Sequence, residues 1–235
     1  MSQISLPFKA VIFDMDGTLI ASTEADFLAW KRTFADNGKD LTYETYFPLL
    51  GMKSADVISR ELKLEGREVD KALADKLVYF KEIMETNGID PIPFAEELLK
   101  AVKKLPVKTA LATSSRRMKM QMVMKKLNFL QYFDEVVTGE EVHKSKPAPD
   151  IFIRAAEKLK LDAHECIVIE DASTGVTAAK SAGMMCIAIT TTHRRDQLQH
   201  ADLVIDSFKE IDFEEILKRQ IESSKYEIRN TKYEI

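Results

Sequence analysis

Lys9-Ala10-Val11-Ile12-Phe13-Asp14-Met15-Asp16-Gly17-Thr18-Leu19 opens the chain's chemistry. The segment from Lys9 to Phe13 is short, apolar and rich in β-branched residues, the pattern of a buried strand, and Gly17 forces a turn just beyond it. Asp14 and Asp16 therefore leave a strand at its carboxyl end, where open α/β sheets bind ligands. A glycine turn lets the segment curl, so the two carboxylates can address one pocket. Such a pair can hold a divalent cation, or one group can attack while the other carries a proton. Taken alone, an acidic turn without chemistry reads the same way.

The 235 residues suffice for one core domain with an insertion, or for two modest domains. With 45% hydrophobic and 31% charged residues the composition is that of a soluble globular protein. A net charge of −4, with no basic tract, argues against general binding of nucleic acid or anionic membrane. Asp14 and Asp16 interrupt the first apolar run, so neither a signal peptide nor a membrane span is expected. Cys166 and Cys186 each lie in an apolar run and read as buried free thiols of a reducing compartment, which places the protein in the cytoplasm.

Beyond the acidic turn the spacing becomes helical. Phe27, Trp30 and Phe34 recur at intervals of three and four, with Ser22 or Thr23 able to cap the start and Asn37-Gly38 to close the helix. Further helices are expected at 43–50, 54–64 and 69–85, with no strand between Ile20 and Gly88, and Pro91 and Pro93 mark a return linker. Helix and strand then alternate, which predicts a parallel sheet covered on both faces. Strands are expected at 107–112, 135–138, 166–169, 185–189 and 203–205, and helices at 94–105, 116–127, 150–159, 174–182 and 211–218.

Three further pieces carry chemistry. Thr113-Ser114-Ser115 sits between a strand and a helix, where hydroxyls and free N–H groups either cap the helix or bind an anion such as phosphate. Lys146 lies in a loop stiffened by Pro147 and Pro149, with Asp150 placed to cap the next helix, so its ammonium can be aimed at negative charge. Glu170-Asp171 closes the apolar run from Cys166, and adjacent acids there need cations or hydrogen bonds. Mg²⁺ suits them, since it prefers oxygen ligands and keeps several waters. The histidines His143, His164, His193 and His200 show no metal-ligand spacing, and the Phe27, Trp30, Phe34 stripe reads as helical core.

These four pieces, in this order, resemble the haloacid dehalogenase superfamily over roughly the first 210 residues, and the β-phosphoglucomutase-like branch in particular. The resemblance implies a Rossmann-like three-layer α/β core (1–20 and 91–222) and a small all-α cap (21–90), with 223–235 a loosely anchored tail. It implies Mg²⁺-dependent phosphoryl transfer, with Asp14 as nucleophile and Asp16 as acid/base. Thr113 and Lys146 would hold the phosphoryl oxygens, with Ser114 and Arg116 nearby. The metal would rest on Asp14, Asp171 and the Asp16 main-chain carbonyl, supported by Glu170. Mutases of this branch have a cap histidine four residues before the tryptophan of an Ala-Trp pair, and an arginine soon after a cap glycine. Here Asp26 and Ser54 stand at those positions, leaving Gly51 and Lys53 as the candidate contacts to the rest of the substrate.

The expectation is therefore a cap more negative than a mutase's and a monomeric phosphatase acting on a small phosphorylated metabolite. A phosphosugar mutase and a catalytically silent binding module are the alternatives. The tail carries a polar seven-residue repeat, Lys225-Tyr226-Glu227-Ile228 returning as Lys232-Tyr233-Glu234-Ile235, too short for a packed repeat architecture. Truncation after Ser223 is expected to leave activity and melting temperature nearly unchanged, because the repeat offers few apolar anchors. A large loss of stability in a thermal melt would show that the tail docks.

Overall fold

The computed structural model describes residues 8–212. The repeat tail lies outside them, as does the expected helix at 211–218 except for Ile211 and Asp212, which are not helical. Six parallel strands form the sheet: β1 (Ala10–Phe13), β2 (Lys108–Thr113), β3 (Glu135–Thr138), β4 (Cys166–Glu170), β5 (Met185–Ile189) and β6 (Leu203–Ile205). Their order is β3-β2-β1-β4-β5-β6, the doubly wound order, in which the direction of winding reverses between β1 and β4. Eight α-helices are present among the described residues: α1 (Thr23–Asp36), α2 (Tyr43–Tyr46), α3 (Ser54–Val57), α4 (Arg67–Asn87), α5 (Ala95–Val102), α6 (Arg117–Lys126), α7 (Asp150–Leu159) and α8 (Ser173–Ser181).

The period of two along β1 sets the layers. Val11 and Phe13 join Leu98, Leu99 and Val102 of α5 and Val123 of α6 on one face. Ala10 and Ile12 join Phe152 and Ala155 of α7 and Val176 of α8 on the other. The whole of β1 is buried, which is why it reads as a continuous apolar run rather than an alternating one. Cys166 and Cys186 are buried and unpaired, as expected.

α1 to α4 carry an apolar cluster of their own, in which Trp30, Phe34, Tyr46, Val57, Ile58 and Leu62 are buried. Phe27 packs on its edge. Two expected helices are shorter than the pattern suggested. α2 ends at Tyr46 and gives way to a 3-10 turn over Phe47–Leu49, because Pro48 lacks an N–H and would clash one turn back. α3 ends at Val57 and widens into a π turn over Ile58–Leu62. The i→i+5 pitch returns Leu62 beneath Val57, so that both reach the cluster.

The two connections between these helices and the sheet run side by side. Ala21 N–H donates to the Asp90 carbonyl (3.0 Å) and Ile92 N–H to the Leu19 carbonyl (2.9 Å), an antiparallel contact centred on Ile20 and Pro91. Capping differs in two places. Ser22 precedes α1 but turns its hydroxyl to Asp16, and Asp150 is the first residue of α7, where it accepts from the Lys144 N–H (3.3 Å).

Burial predicts how substitutions divide. Ile12→Ala, at 0% exposure in the central strand, is expected to lower unfolding free energy by about 2–5 kcal/mol in urea titrations. Met118→Ala, at 65% exposure, is expected to stay within about 0.5 kcal/mol of the parent. Equal effects would contradict the assigned layers.

Candidate active site

The carboxyl ends of β1, β2 and β4 converge at the point where the winding reverses, and a cavity of about 630 Å³ opens there beneath the cap helices. Asp14, Asp16, Thr113, Ser114, Glu170, Asp171 and Gly51 all line it.

At its floor the Lys146 ammonium donates to Asp14 Oδ1 (2.6 Å) and to Glu170 Oε1 (2.5 Å), with Phe152 under the ammonium at 5.0 Å. Lys146 is 1% exposed. Burial alone would lower its pKa, but Asp14 and Glu170 outweigh that and raise it, so the side chain is a cation. The second Glu170 oxygen accepts the N–H groups of Asp171 and Ala172, both at 2.7 Å. A Cβ on Gly175 would stand 1.8 Å from Glu170 Oε1, so α8 approaches this carboxylate as closely as it does only because residue 175 has no side chain.

Asp171 accepts from the Thr18 hydroxyl (2.6 Å) and from the Thr192 hydroxyl. Gly17, at φ +84, holds the turn against it, where a Cβ would fall 2.2 Å from Asp171 Oδ2. Burial, with Glu170 and Asp14 close by, raises the Asp171 carboxyl well above its usual range, and burial pushes Asp14 up to about 7 despite Lys146. Of these three buried carboxylates, Lys146 pairs with Asp14 and Glu170 and leaves Asp171 to hydroxyl donors. The uncompensated charge is oxygen-based and hard, which fits a Mg²⁺ ion held by Asp14, Asp171 and a main-chain carbonyl with water completing its shell. Among the described residues no group of three or more His, Cys, Asp or Glu side chains gathers around one metal position.

Asp16 is held from three sides. Its Oδ1 accepts from Ser22 (2.5 Å) and pairs with Lys119 (2.8 Å), and its Oδ2 accepts from Ser115 (2.6 Å). Thr113 is buried at the end of β2 and accepts the Ser115 N–H (3.0 Å). The Ser114 hydroxyl donates to the Gly51 carbonyl (2.6 Å), so both residues bridge core and cap.

Two expected contacts point elsewhere. Arg116 Nε donates to Glu140 (2.9 Å), and Lys53 Nζ donates to the carbonyls of Val142 (3.0 Å) and His143 (3.2 Å). Neither lines the cavity. Lys53 instead fastens the cap to the core, together with the Phe47 ring packed on His193 at 4.5 Å and Ser145 donating to Asp56 (2.5 Å).

The expected negative cap is also corrected. Asp26 does face the cavity, but Lys76 (2.9 Å) and Lys119 (3.0 Å) both pair with it, and Tyr46 donates to it (3.3 Å). Burial would raise the Asp26 carboxyl, yet the two ammonium groups prevail and hold it well below its usual range. Neither lysine stood out in the sequence. Lys76 lies in a charged helix and Lys119 three residues past Arg116, and only the inward turn of each helix distinguishes them from surface lysines.

Residues 11–189 match the haloacid dehalogenase-like hydrolase family. The chain is 29% identical over 205 residues to the validoxylamine A 7′-phosphate phosphatase of Streptomyces hygroscopicus subsp. limoneus, covering 87% of this chain and 96% of that one. It is 32% identical over 203 residues to hexitol phosphatase A of Escherichia coli, covering 86% and 93%. Among solved structures, the β-phosphoglucomutase of Clostridium difficile superposes with a TM-score of 0.82 at 27% identity, over 94% of this chain and 99% of that one.

The charge imbalance at Asp171 predicts a stability effect. A carboxyl whose pKa is raised on folding costs nothing below its unfolded value near 4, costs progressively more as pH climbs from there toward its folded value, and levels off above it. The metal-free protein is therefore expected to melt lower at about pH 8 than at about pH 5. Asp171→Asn is expected to raise the melting temperature in chelator at the higher pH, by about 2–4 °C per kcal/mol relieved. A lower melting temperature for the variant would show that Asp171 is already compensated.

Proposed function

The chain belongs to the haloacid dehalogenase-like hydrolase family and is one of its phosphoryl-transferring enzymes, and from that premise we propose a Mg²⁺-dependent phosphatase that hydrolyses a small sugar phosphate through an aspartyl-phosphate on Asp14. The observation that carries the choice of phosphatase over mutase is the pairing of the cations. Lys146, Lys76 and Lys119 line or floor the site and each is bound to carboxylates, while Lys53 and Arg116 are engaged outside it. A second phosphate on the substrate would thus find no unpaired ammonium or guanidinium among these residues. Hydroxyl groups would find both donors and acceptors along the Asp26, Lys76 and Tyr46 wall.

In this reading Asp14 attacks phosphorus, the bond to the leaving oxygen breaks, and Asp16 gives that oxygen a proton. Water then attacks the same phosphorus, its proton passes to Asp16, and the electron pair of the Asp14–phosphorus bond returns to the carboxylate. Lys146 stabilises the carboxylate and the phosphoryl oxygens throughout, and the Thr113 hydroxyl donates to one of those oxygens. Bound Mg²⁺ would supply the positive charge that lets an anionic phosphoryl group approach an anionic nucleophile. The Lys53, Phe47 and Asp56 contacts hold the cap helices over the site and keep bulk water out while the first half proceeds.

The enzyme would act as a cytoplasmic monomer. Its buried free thiols support a reducing compartment, and no helix among the described residues is long and apolar enough to cross a membrane. A silent binding module would not need Asp14 and Asp16 lining one cavity with the Lys146 ammonium on Asp14.

Steady release of phosphate from sugar monophosphates in Mg²⁺ is expected, with no requirement for a bisphosphate activator. Asp14→Asn is expected to abolish it while the protein still folds. Incubation with β-glucose 1-phosphate, with and without the 1,6-bisphosphate, with both glucose 6-phosphate and free phosphate measured, checks this. Rapid bisphosphate-dependent formation of glucose 6-phosphate with little free phosphate would establish the mutase instead.

A further inference from the structure

Lys119 is a buried cation that is held in place only by carboxylates, Asp16 and Asp26 together outweighing its burial. It is 7% exposed, it sits in the first turn of α6 where the helix dipole opposes a cation, and it shares Asp26 with a second ammonium, that of Lys76. Asp26 is already neutralised by Lys76 within the cap. What Lys119 adds is its other contact, 2.8 Å to Asp16 Oδ1, while the Phe80 ring lies 4.6 Å from its ammonium and limits where that group can move.

We propose that Lys119 is a positioning residue for the hydrolytic half-reaction, its ammonium fixing the Asp16 carboxylate in the place where it takes the proton of the attacking water. The proposal rests on the phosphatase reading above. In the step concerned, water oxygen bonds to phosphorus, the water proton moves to Asp16, and the Asp14–phosphorus bond breaks with its electrons returning to Asp14. Inorganic phosphate and free enzyme result. With Ser22 and Ser115, Lys119 completes a three-sided clamp on Asp16, so the base need not be brought into place after the intermediate forms. The clamp also links it to the cap through Asp26, since the same ammonium touches both.

The test uses the whole chain with Mg²⁺ and p-nitrophenyl phosphate, whose leaving group departs without a proton, so that a defect in Asp16 falls on hydrolysis alone. For K119M, kcat is expected to fall about tenfold or more while kcat/KM, which ends at phosphoryl transfer to Asp14, stays within about threefold. Acid quenching should then trap phosphoenzyme in K119M and little in the parent, and K119R should recover most of kcat. Should K119M fail to fold, K119Q, which keeps an N–H donor without the charge, carries the same test. Parallel losses in kcat and kcat/KM without trapped phosphoenzyme would overturn the proposal, as would kinetics equal to the parent's. A parent protein that releases no phosphate would overturn the phosphatase reading as well.

Discussion

The ammonium of Lys146, shared between Asp14 and Glu170, is the constraint around which this site is built. β1 and β4 are neighbours and end side by side, so their terminal carboxylates emerge together in a water-poor crevice. Like charges that close repel, and neither tolerates burial unpaired. One lysine delivered by the loop before α7 joins three chain segments far apart in sequence. The absent side chains at Gly17 and Gly175 let the turn and the helix crowd in upon these acids.

The same device recurs a few ångströms away with different partners. Lys119 stands between Asp16 and Asp26 as Lys146 stands between Asp14 and Glu170. In the first pair of contacts the ammonium joins core to cap, and in the second it joins strand to strand. Asp16 and Asp14 are thus each held by a cation with a second obligation, which lowers the freedom of both carboxylates.

Much of this was legible in the residues because it depends on local pattern. The apolar run into Asp14, the Gly17 turn and the alternation of helix and strand follow from period and turn chemistry, and they placed β1, β2 and β4 with their functional ends. Shortening of α2 by Pro48 could have been read, and the widening after α3 could not, since it depends on where Leu62 must be buried. The compensation of the cap's negative charge was not legible because Asp26 stands alone in sequence. Its partners arrive from α4 and α6, 50 and 93 residues away. Arg116 and Lys53 erred in the opposite sense: each is the nearest cation in sequence, and each is claimed in space by an acceptor outside the cavity.

The paired connections at Leu19 to Ala21 and Asp90 to Ile92 give the cap its mechanics. Ile20 bridges to Asp16 on one side and to Pro91 on the other, so a single residue belongs to both the Asp16 turn and the connector. The attachment of the helical insertion is therefore made in the turn that carries Asp16, so a displacement of one bears on the other.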